Sequence, residues 1–340
     1  MNEPDLIDNA RAGDERAYDL LVEPHRAELR AHCYRMLGSA HDAEDAVQEA
    51  LLRAWRGLPR FEGRSSVRSW LYTISTNVCL KAIERRPKLV LPIDYGPPAD
   101  PHDGPAPPIV ESVWVEPYPD ERLALDSALA GPEARYEQRE SIELAFIAAL
   151  QHLPARQRAV LILRDVLGFS ARDVAQALEM APASVDSALQ RAHKTVDERL
   201  PAQSQQATLR ALGDEGLRGI VDAYVAAWER ADVDAIVAML AREAAITMPP
   251  VPTWYQGREA VGEFLRGWPL AGTARSRIVP IRANGQLAFG HYTWDADKEA
   301  FIPHAIHVHT LDGAEIAEIT AFLTPEVFER FGLPDEIKAA

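Results

Sequence analysis

The sequence has little of what secreted, membrane-spanning or disulfide-stapled proteins need. Only two cysteines, Cys33 and Cys79, occur in 340 residues, which is too few for a disulfide framework and lacks the spacing of a metal site. No apolar run reaches the roughly 18–20 residues that cross a bilayer. The acidic N-terminus has no apolar segment typical of a signal peptide. These absences predict buried, reduced thiols, a cytoplasmic location and no contact with a membrane.

Positive charge is in the minority, because 36 Lys and Arg face 51 Asp and Glu, for a formal net charge of −15. A protein of this charge repels DNA phosphates when it is free. The charge is uneven, however: residues 53–86 carry eight basic and two acidic side chains, whereas residues 87–139 carry four basic and ten acidic ones. This pattern indicates a protein that touches DNA only when another macromolecule holds it there.

The length and the changes in composition predict three folded parts and a linker. Apolar residues at helical spacing fill residues 4–86, and a Pro-rich acidic linker follows over residues 87–132. Helical spacing returns over residues 133–200. Two amphipathic helices and then strand-like runs occupy residues 208–340. The expected fold class is therefore multidomain, with two all-α modules and a C-terminal α+β domain.

The linker contains an apolar patch over residues 113–120, with the sequence V-W-V-E-P-Y-P-D. Its prolines exclude a helix or a central strand. Two aromatic side chains, Trp114 and Tyr118, indicate either a docking point or a local collapse without function. The sequence alone leaves both interpretations open.

The first helical part carries an acidic stripe. Asp42, Asp45 and Glu49 recur at helical spacing, with Gln48 beside them. Like charges this close repel one another, which favours a basic partner, although a solvated acidic face is the simpler alternative. The arginines, aromatics and amides that follow, as far as Lys81, suit contact with phosphates and stacking on unpaired bases.

Four motifs occur in order in this part: D-A-E-D-A-V-Q-E, A-W-R, R-F-E-G and S-W-L-Y-T-I-S-T-N. They make residues 6–86 resemble region 2 of the extracytoplasmic-function RNA polymerase sigma factors. The resemblance implies that the loop over residues 58–65 holds a base flipped out of the minus-ten promoter element. It also implies that the stripe docks on the clamp of the β′ subunit of core RNA polymerase, through Asp42, Asp45, Gln48 and Glu49.

The same resemblance gives the candidates for contact with minus-ten DNA, which are Arg60, Arg64, Arg68, Asn77 and Lys81. Trp55 and Trp70 lie on apolar helix faces, so we expect them to pack in the core and not on DNA. Because this module alone cannot supply the free energy of opening a bubble, the polymerase must supply it.

Residues 169–194 have the pattern of a helix-turn-helix, in which Pro182 begins the second helix. That helix is expected in the major groove, with five outward side chains: Ser184, Ser187, Gln190, Arg191 and Lys194. The motif alone fits many repressors. With residues 153–164 it resembles region 4 of the same family, which implies contact with the minus-thirty-five element and the polymerase β flap. Asp186 and Ala188 stand where the family often has basic residues, so weaker attraction to phosphate is expected.

Residues 208–340 resemble the SnoaL-like branch of the nuclear-transport-factor-2 fold, a curved antiparallel sheet around a cone-shaped cavity. The resemblance is carried by residues 224–229, 235–240 and 254–261 and by the closing strands. It implies a regulatory or ligand-binding domain, although relatives with this fold include isomerases and hydrolases.

The candidate pocket residues of this domain are Trp254, His291, His307 and His309. Strand alternation predicts that His307 and His309 share one face and that His304 lies on the other. A histidine pair can act in acid–base catalysis or bind a metal, but a satisfied polar patch is the simpler interpretation. We therefore expect no catalysis and no cofactor, and keep a small-molecule ligand as an open partner.

Three functions compete. A sigma factor that binds core RNA polymerase and promoter DNA, and is regulated in cis by its C-terminal domain, is the favoured one. A sigma factor fused to a small-molecule sensor or an enzyme is the alternative. A helix-turn-helix repressor with a ligand domain does not account for the stripe and the basic–aromatic segment over residues 42–81.

Overall fold

The computed structural model describes residues 2–109, 114–123, 140–272 and 275–338. The chain divides into two compact units. The first consists of Met1–Lys88 and Arg122–Leu200, and the second of Leu89–Glu121 and Pro201–Ala340. Most of the segment expected as a linker therefore belongs to the second unit and is not a free coil. The boundary expected between residues 132 and 133 lies outside the described residues.

In chain order the helices are α1 (Glu3–Arg11), α2 (Glu15–Val22), α3 (Arg26–Leu37), α4 (Ala40–Gly57), α5 (Val67–Ile83), α6 (Pro92–Tyr95), α7 (Leu144–Gln151), α8 (Ala155–Leu161), α9 (Ala171–Ala177), α10 (Pro182–Asp197), α11 (Gln205–Glu229), α12 (Val233–Ala238) and α13 (Arg258–Gly267). The strands are β1 (Leu240–Met248), β2 (Val251–Gln256), β3 (Ser276–Ala283), β4 (Gln286–Asp295), β5 (Ala300–Asp312), β6 (Glu315–Phe322) and β7 (Ile337–Lys338).

Serine caps set the starts of the two helices that carry the region 2 motifs. The Ser39 hydroxyl accepts a hydrogen bond from the amide of Asp42 at 3.2 Å and begins α4. The Ser66 hydroxyl accepts one from Ser69 at 3.1 Å and begins α5. Each cap satisfies an amide that the first helical turn leaves unpaired, which contributes about 1 kcal/mol. The caps thereby fix which side chains of α4 and α5 face outward.

The two helical modules of the first unit pack together through buried arginines. Arg35 of α3 donates to the carbonyl of Ser141 at 3.2 Å and to its hydroxyl at 2.8 Å. Arg158 of α8 donates to the carbonyl of Met36 and to the side chain of Gln151. Burial lowers the pKa of both guanidinium groups to about 10. Neutral oxygens therefore satisfy these charges across the packing surface.

The second unit is a seven-stranded sheet in the order β2-β1-β6-β5-β4-β3, with β7 on β5. All neighbours are antiparallel except β1 and β6, which are parallel, so the sheet is mixed and not wholly antiparallel as expected. One face packs against α11, α12 and α13, with Ile246, Phe289 and Ile319 among the core residues. We call this the inner face.

The other face of the sheet, which we call the outer face, is covered by the linker and by the C-terminal segment. Trp254 on the outer face donates from Nε1 to the carbonyl of Gly96 at 2.8 Å. Gly290 lies so close to the C-terminal segment that a Cβ there would meet Leu333 at 2.7 Å. The linker aromatics Trp114 and Tyr118 are buried. Tyr118 exchanges two hydrogen bonds with Asn284 of the sheet domain, which favours the docking interpretation for this end of the patch. The Trp114 ring packs 5.5 Å from that of Tyr95 within the linker itself, and Val113 lies outside the described residues.

Candidate functional site

The acidic stripe lies on the solvent side of α4, because the opposite side of the helix, with Ala43, Ala46 and Val47, is buried. Asp45 and Gln48 are exposed, and the Asp45 side chain is 64% accessible. The stripe therefore presents oxygen-rich side chains from one rigid helix.

All three stripe carboxylates have a basic partner within the same module, and Asp45 Oδ2 lies 3.6 Å from His41 Nε2. Asp42 forms an ion pair with Arg86, and Glu49 accepts a hydrogen bond from Arg53 Nε at 2.6 Å. Asp42 is the most enclosed of the three, since its side chain is only 22% accessible. Asp42 is therefore the least available of the four predicted docking residues. No sequence pattern pointed to Arg86, because it lies far along the chain from Asp42.

Leu52 continues the stripe, three positions beyond Glu49 and on the same helix face. It is 51% exposed, which is unusual for a leucine in a well-packed helical module. The sequence analysis did not predict a role for Leu52, because it assigned this residue neither to the buried apolar side of the helix nor to the acidic stripe.

Four of the five candidates for minus-ten DNA, namely Arg60, Arg64, Asn77 and Lys81, are exposed on the loop and on α5. Arg68 is different, because its Nε donates to Glu28 at 2.9 Å. Its guanidinium lies 4.9 Å from the centre of the Tyr72 ring and 5.4 Å from that of Phe169. The structure thus holds Arg68 inside the first unit and leaves the other four exposed to solvent, with Arg64 Nε paired to Glu62 at 3.0 Å.

Trp55 and Trp70 each pack against another aromatic ring, although neither belongs to the buried core, where they were predicted. The ring centroids of Trp55 and Tyr18 are 5.0 Å apart, and those of Trp70 and Phe61 are 4.7 Å apart. Both tryptophans are half-buried. Their ring faces are therefore committed to the helix packing around the loop over residues 58–65.

The helix-turn-helix consists of α9 and α10, joined by a turn in which Glu179 has a φ of 52°. Val174 and Val185 are buried between the helices. All five candidate side chains of α10 are exposed on one helix, at Ser184, Ser187, Gln190, Arg191 and Lys194. Ala188 is buried, so its lack of charge reflects an inward position. Of the two positions expected to weaken attraction to phosphate, only Asp186 is exposed.

The inner face of the sheet holds a cluster of aromatic and histidine side chains: Tyr224, Trp228, Phe289, His291, His307 and His309. The Tyr224 hydroxyl and His307 Nδ1 are 2.8 Å apart, and His291 Nε2 lies 2.9 Å from the Ser276 hydroxyl. The His309 ring packs against both Tyr224 and Phe289, with centroids at 4.3 and 4.8 Å. Neither nitrogen of His309 has a hydrogen-bond partner within the described residues.

Strand alternation predicted that His304 lies on the face opposite His307 and His309, and this prediction is wrong. The register between β4 and β5 shifts between His291 and Tyr292, which pair with Ala305 and Pro303 respectively. His304 is the extra residue of this bulge, and an extra residue breaks strict alternation. Its ring centroid is 5.2 Å from that of His291, so it adjoins the cluster.

Burial determines the protonation of the cluster. It lowers the pKa of His291 and His307 well below the usual value and that of His309 to about 3. It also raises the pKa of the Tyr224 hydroxyl. All four groups are therefore neutral at pH 7. Across the described residues, no group of three or more His, Cys, Asp or Glu side chains has the arrangement of a metal site.

Trp254 is separated from the histidines. It pairs with Thr247, Thr247 with Thr320, and Thr320 with Val308, so all four side chains lie on one face. Val308 alternates with His307 and His309, which puts Trp254 on the outer face, where it binds the linker. The four predicted pocket residues therefore do not form one pocket.

Comparison with known proteins gives the same three parts. The model of sigma-70 region 2 matches residues 21–88, that of sigma-70 region 4 residues 143–196, and that of a SnoaL-like domain residues 221–319. The ECF RNA polymerase sigma factor SigG of Mycobacterium tuberculosis is 40% identical over 328 residues, which cover 96% of this chain and 86% of SigG. The RNA polymerase sigma-H factor of Pseudomonas aeruginosa is 30% identical over 57% of this chain and 92% of its own length.

The crystal structure of the extracytoplasmic-function sigma factor SigJ of Mycobacterium tuberculosis has the same fold. It covers 91% of this chain and 97% of SigJ, with a TM-score of 0.55 and 21% identity. The fold and the motifs define a sigma-70-type factor with an appended SnoaL-like domain. The chain belongs to the extracytoplasmic-function RNA polymerase sigma factors. Within its described part, no helix is both long and apolar enough to cross a membrane.

The buried histidines predict that the sheet unit loses stability in acid. The pKa of His309 is about 3 in the folded state and about 6.5 in the unfolded chain, so below pH 6.5 only the unfolded chain takes up the proton. The stabilisation is complete above pH 6.5 and is lost as the pH falls towards 3. Between pH 7.5 and pH 5, this proton uptake should lower the free energy of unfolding of the wild type by about 2 kcal/mol. The variant His309→Phe should not show this part of the decrease.

This is measured by urea unfolding at both pH values, read by pulsed hydrogen exchange on peptides of β4 and β5. The control is His102→Phe, because the side chain of His102 is 77% accessible. An equal pH dependence in wild type and His309→Phe would contradict the assignment.

Proposed function

We propose that this protein binds core RNA polymerase in the cytoplasm, directs promoter recognition and transcription initiation, and is regulated in cis by its SnoaL-like domain. The observation that carries the sigma function is the separation of two exposed surfaces within one helical unit. One is the stripe of Asp45, Gln48, Glu49 and Leu52 on α4, and the other is the outward side of α10. An acidic helix face suits a protein partner, and a helix-turn-helix suits DNA.

The stripe is proposed to dock on the clamp of the β′ subunit. Asp45, Gln48 and Glu49 supply acceptors for basic groups of the partner, and Leu52 supplies apolar contact between them. Charged groups at such an interface guide association and orientation, whereas a buried apolar contact holds the complex. Asp42 contributes less, because Arg86 already neutralises it.

The DNA contacts are proposed in two sets. Arg60, Arg64, Asn77 and Lys81 meet the opened minus-ten element, while the five outward side chains of α10 read the minus-thirty-five element beside the β flap. Arg68 joins the first set only after it leaves Phe169, because in the compact first unit its guanidinium lies over that ring. The free protein is acidic overall, so the polymerase has to bring these groups to DNA.

Cis regulation is supported by the docked linker. The linker leads from region 2 towards region 4, and its residues Trp114, Val115 and Tyr118 are buried in the sheet unit. A segment held in this way cannot act as the flexible tether that its composition alone suggests. The sheet domain therefore controls how much free chain joins the two DNA-reading modules. We propose that this control is exerted without catalysis.

The stripe is tested by the double variant Asp45→Ala, Glu49→Ala. We expect affinity for core RNA polymerase to fall at least tenfold, about 1.4 kcal/mol, because two acceptors of the docking face are lost. Fluorescence anisotropy of the labelled full chain with purified core enzyme measures the affinity. The matched control is Glu259→Ala, Glu263→Ala, which removes two exposed carboxylates at the same spacing from α13. Wild-type affinity of the stripe variant would refute the docking assignment.

Cis regulation is tested by Tyr118→Ala in the full chain. Truncating this fully buried ring should cost about 3–5 kcal/mol and release the linker. We expect faster proteolysis of the linker, an unchanged affinity for core enzyme and a several-fold change in run-off transcript. Ile93→Ala is the control, since Ile93 lies in the same linker and is 43% exposed. An unchanged transcript from a released linker would exclude cis control through docking.

Ligand sensing is the second candidate function, and it rests on the two unpaired nitrogens of His309 in the aromatic cluster. Because the cluster histidines are neutral, the matching ligand class is a neutral ring compound with a carbonyl or hydroxyl group. Such compounds should raise the melting temperature of the wild-type full chain but not that of His309→Phe. Equal shifts in both proteins, or none in the wild type, would exclude this site.

A further inference from the structure

The turn between β3 and β4 holds a stretch of the linker. The amide of Tyr118 donates to Asn284 Oδ1 at 3.0 Å, and the amide of Asn284 donates to the carbonyl of Tyr118 at 3.0 Å. The amide of Gly285 donates to Asp120 Oδ1 at 2.7 Å. Because Pro117 and Pro119 have no amide hydrogen, Tyr118 offers the one backbone donor of this tripeptide, and Asn284 accepts it.

The same turn also holds a second stretch of chain. The Gln206 side chain donates from Nε2 to the carbonyl of Gly285 at 2.6 Å. The neighbouring Gln205 pairs with the backbone of Leu311, donating to its carbonyl at 3.0 Å and accepting from its amide at 2.7 Å. Gly285 therefore binds Asp120 through its amide and Gln206 through its carbonyl.

These two stretches are the two ends of one segment. Residues 121–204 lie between them and include residues 143–196, which match region 4. The chain thus leaves the sheet unit next to Gly285 and returns to it next to Gly285. The first stretch, with Tyr118 and Asp120, makes these polar contacts with Asn284 and Gly285. The second stretch, with Gln205 and Gln206, is also attached at Leu311.

The turn is well suited to this role. Asn284 and Gly285 have φ values of 56° and 69°, both in the left-handed region, which a two-residue hairpin of this type requires. The side chain of Asn284 is fully buried under the linker. Glycine tolerates the same backbone without a side chain, so the amide group can be removed without straining the turn.

We propose that the Asn284-Gly285 turn is a clasp that closes the region 4 segment into a loop and thereby sets the length of free chain on which region 4 moves. This inference rests on the proposed sigma function and names the structural element through which cis regulation acts. Releasing Tyr118 and Asp120 lengthens the chain before region 4. Region 4 then reaches minus-thirty-five elements at more distances from the minus-ten element.

The closure is tested by double electron–electron resonance between spin labels at Glu121→Cys and Ala202→Cys in the full chain. Native Cys33 and Cys79 are fully buried and should not compete for the label. We expect one narrow distance distribution in the wild type and in Asn284→Asp, which keeps the acceptor oxygen. Asn284→Gly and Asp120→Ala should each broaden it. Asp312→Ala, at the exposed turn between β5 and β6, is the control and should leave it narrow.

The consequence for region 4 is tested by run-off transcription from promoters that differ only in spacer length. The starting promoter is one selected from a random library with wild-type protein and core enzyme. The preference is the ratio of transcript from the best spacer to transcript from a spacer that is two base pairs longer. We expect Asn284→Gly to lower this ratio at least threefold, whereas Asn284→Asp should leave it unchanged. Circular dichroism melting shows whether each variant is folded.

The outcomes separate the two proposals. A narrow distance distribution in folded Asn284→Gly and Asp120→Ala would overturn the clasp. A broad distribution with an unchanged spacer preference would overturn its role in placing region 4. Absence of any transcript with the wild type would refute the sigma function, whereas the distance measurement would still decide whether the clasp exists.

Discussion

A sheet that is apolar on both faces must be covered on both faces, and this constraint organises the second unit. All residues from Gln286 to Tyr292 of β4 are buried, which is possible only when both sides of the strand are packed. Helices cover the inner face. The outer face is covered by the linker, which includes the short helix α6, and by the C-terminal segment. The linker is therefore a structural part of the sheet domain, which is the basis of the proposed regulation through the linker.

The same principle explains why the linker is fixed by polar contacts as well as by aromatic burial. Prolines at 117 and 119 prevent it from joining the sheet as an ordinary strand, because they lack amide donors. The backbone amide of Tyr118 instead donates its hydrogen bond to the side chain of Asn284, where an ordinary strand would donate to a backbone carbonyl. Buried backbone groups that lose such a partner cost about 1–3 kcal/mol each. The aromatic rings thus provide most of the apolar burial, and the turn determines the register.

Electrostatics limits how strongly the first unit can attract DNA. Several of the side chains proposed to contact DNA are basic, but the whole protein is acidic, so any attraction to phosphate is local and short in range. Arg35 and Arg158 are buried where the modules meet and are satisfied by neutral oxygens. Such a surface gains little from charge pairing, because desolvation opposes it. The proposed release of Arg68 from Phe169 therefore requires a partner that opens this packing of region 2 against region 4.

The sequence was sufficient where a local pattern determines the geometry. Helical spacing identified the outward side of α10, and the cap at Ser39 and the acidic spacing identified the exposed side of α4. It was insufficient where distant chain segments meet. Alternation misplaced His304, since one extra residue in β5 alters the faces. Trp254 was grouped with the histidines, because the face on which a strand residue lies depends on pairing that composition does not reveal.

The inner cluster and the clasp are connected by a short covalent and hydrogen-bonded path. Gln286 follows the turn directly, and its side chain donates to the carbonyl of His309 at 2.9 Å. Physical adjacency alone does not establish coupling, which requires an element with two arrangements that both sites bias. The linker can be such an element, because it is either bound to the turn or released from it. A ligand on His309 would then regulate region 4 only if it binds the two linker states with different affinities.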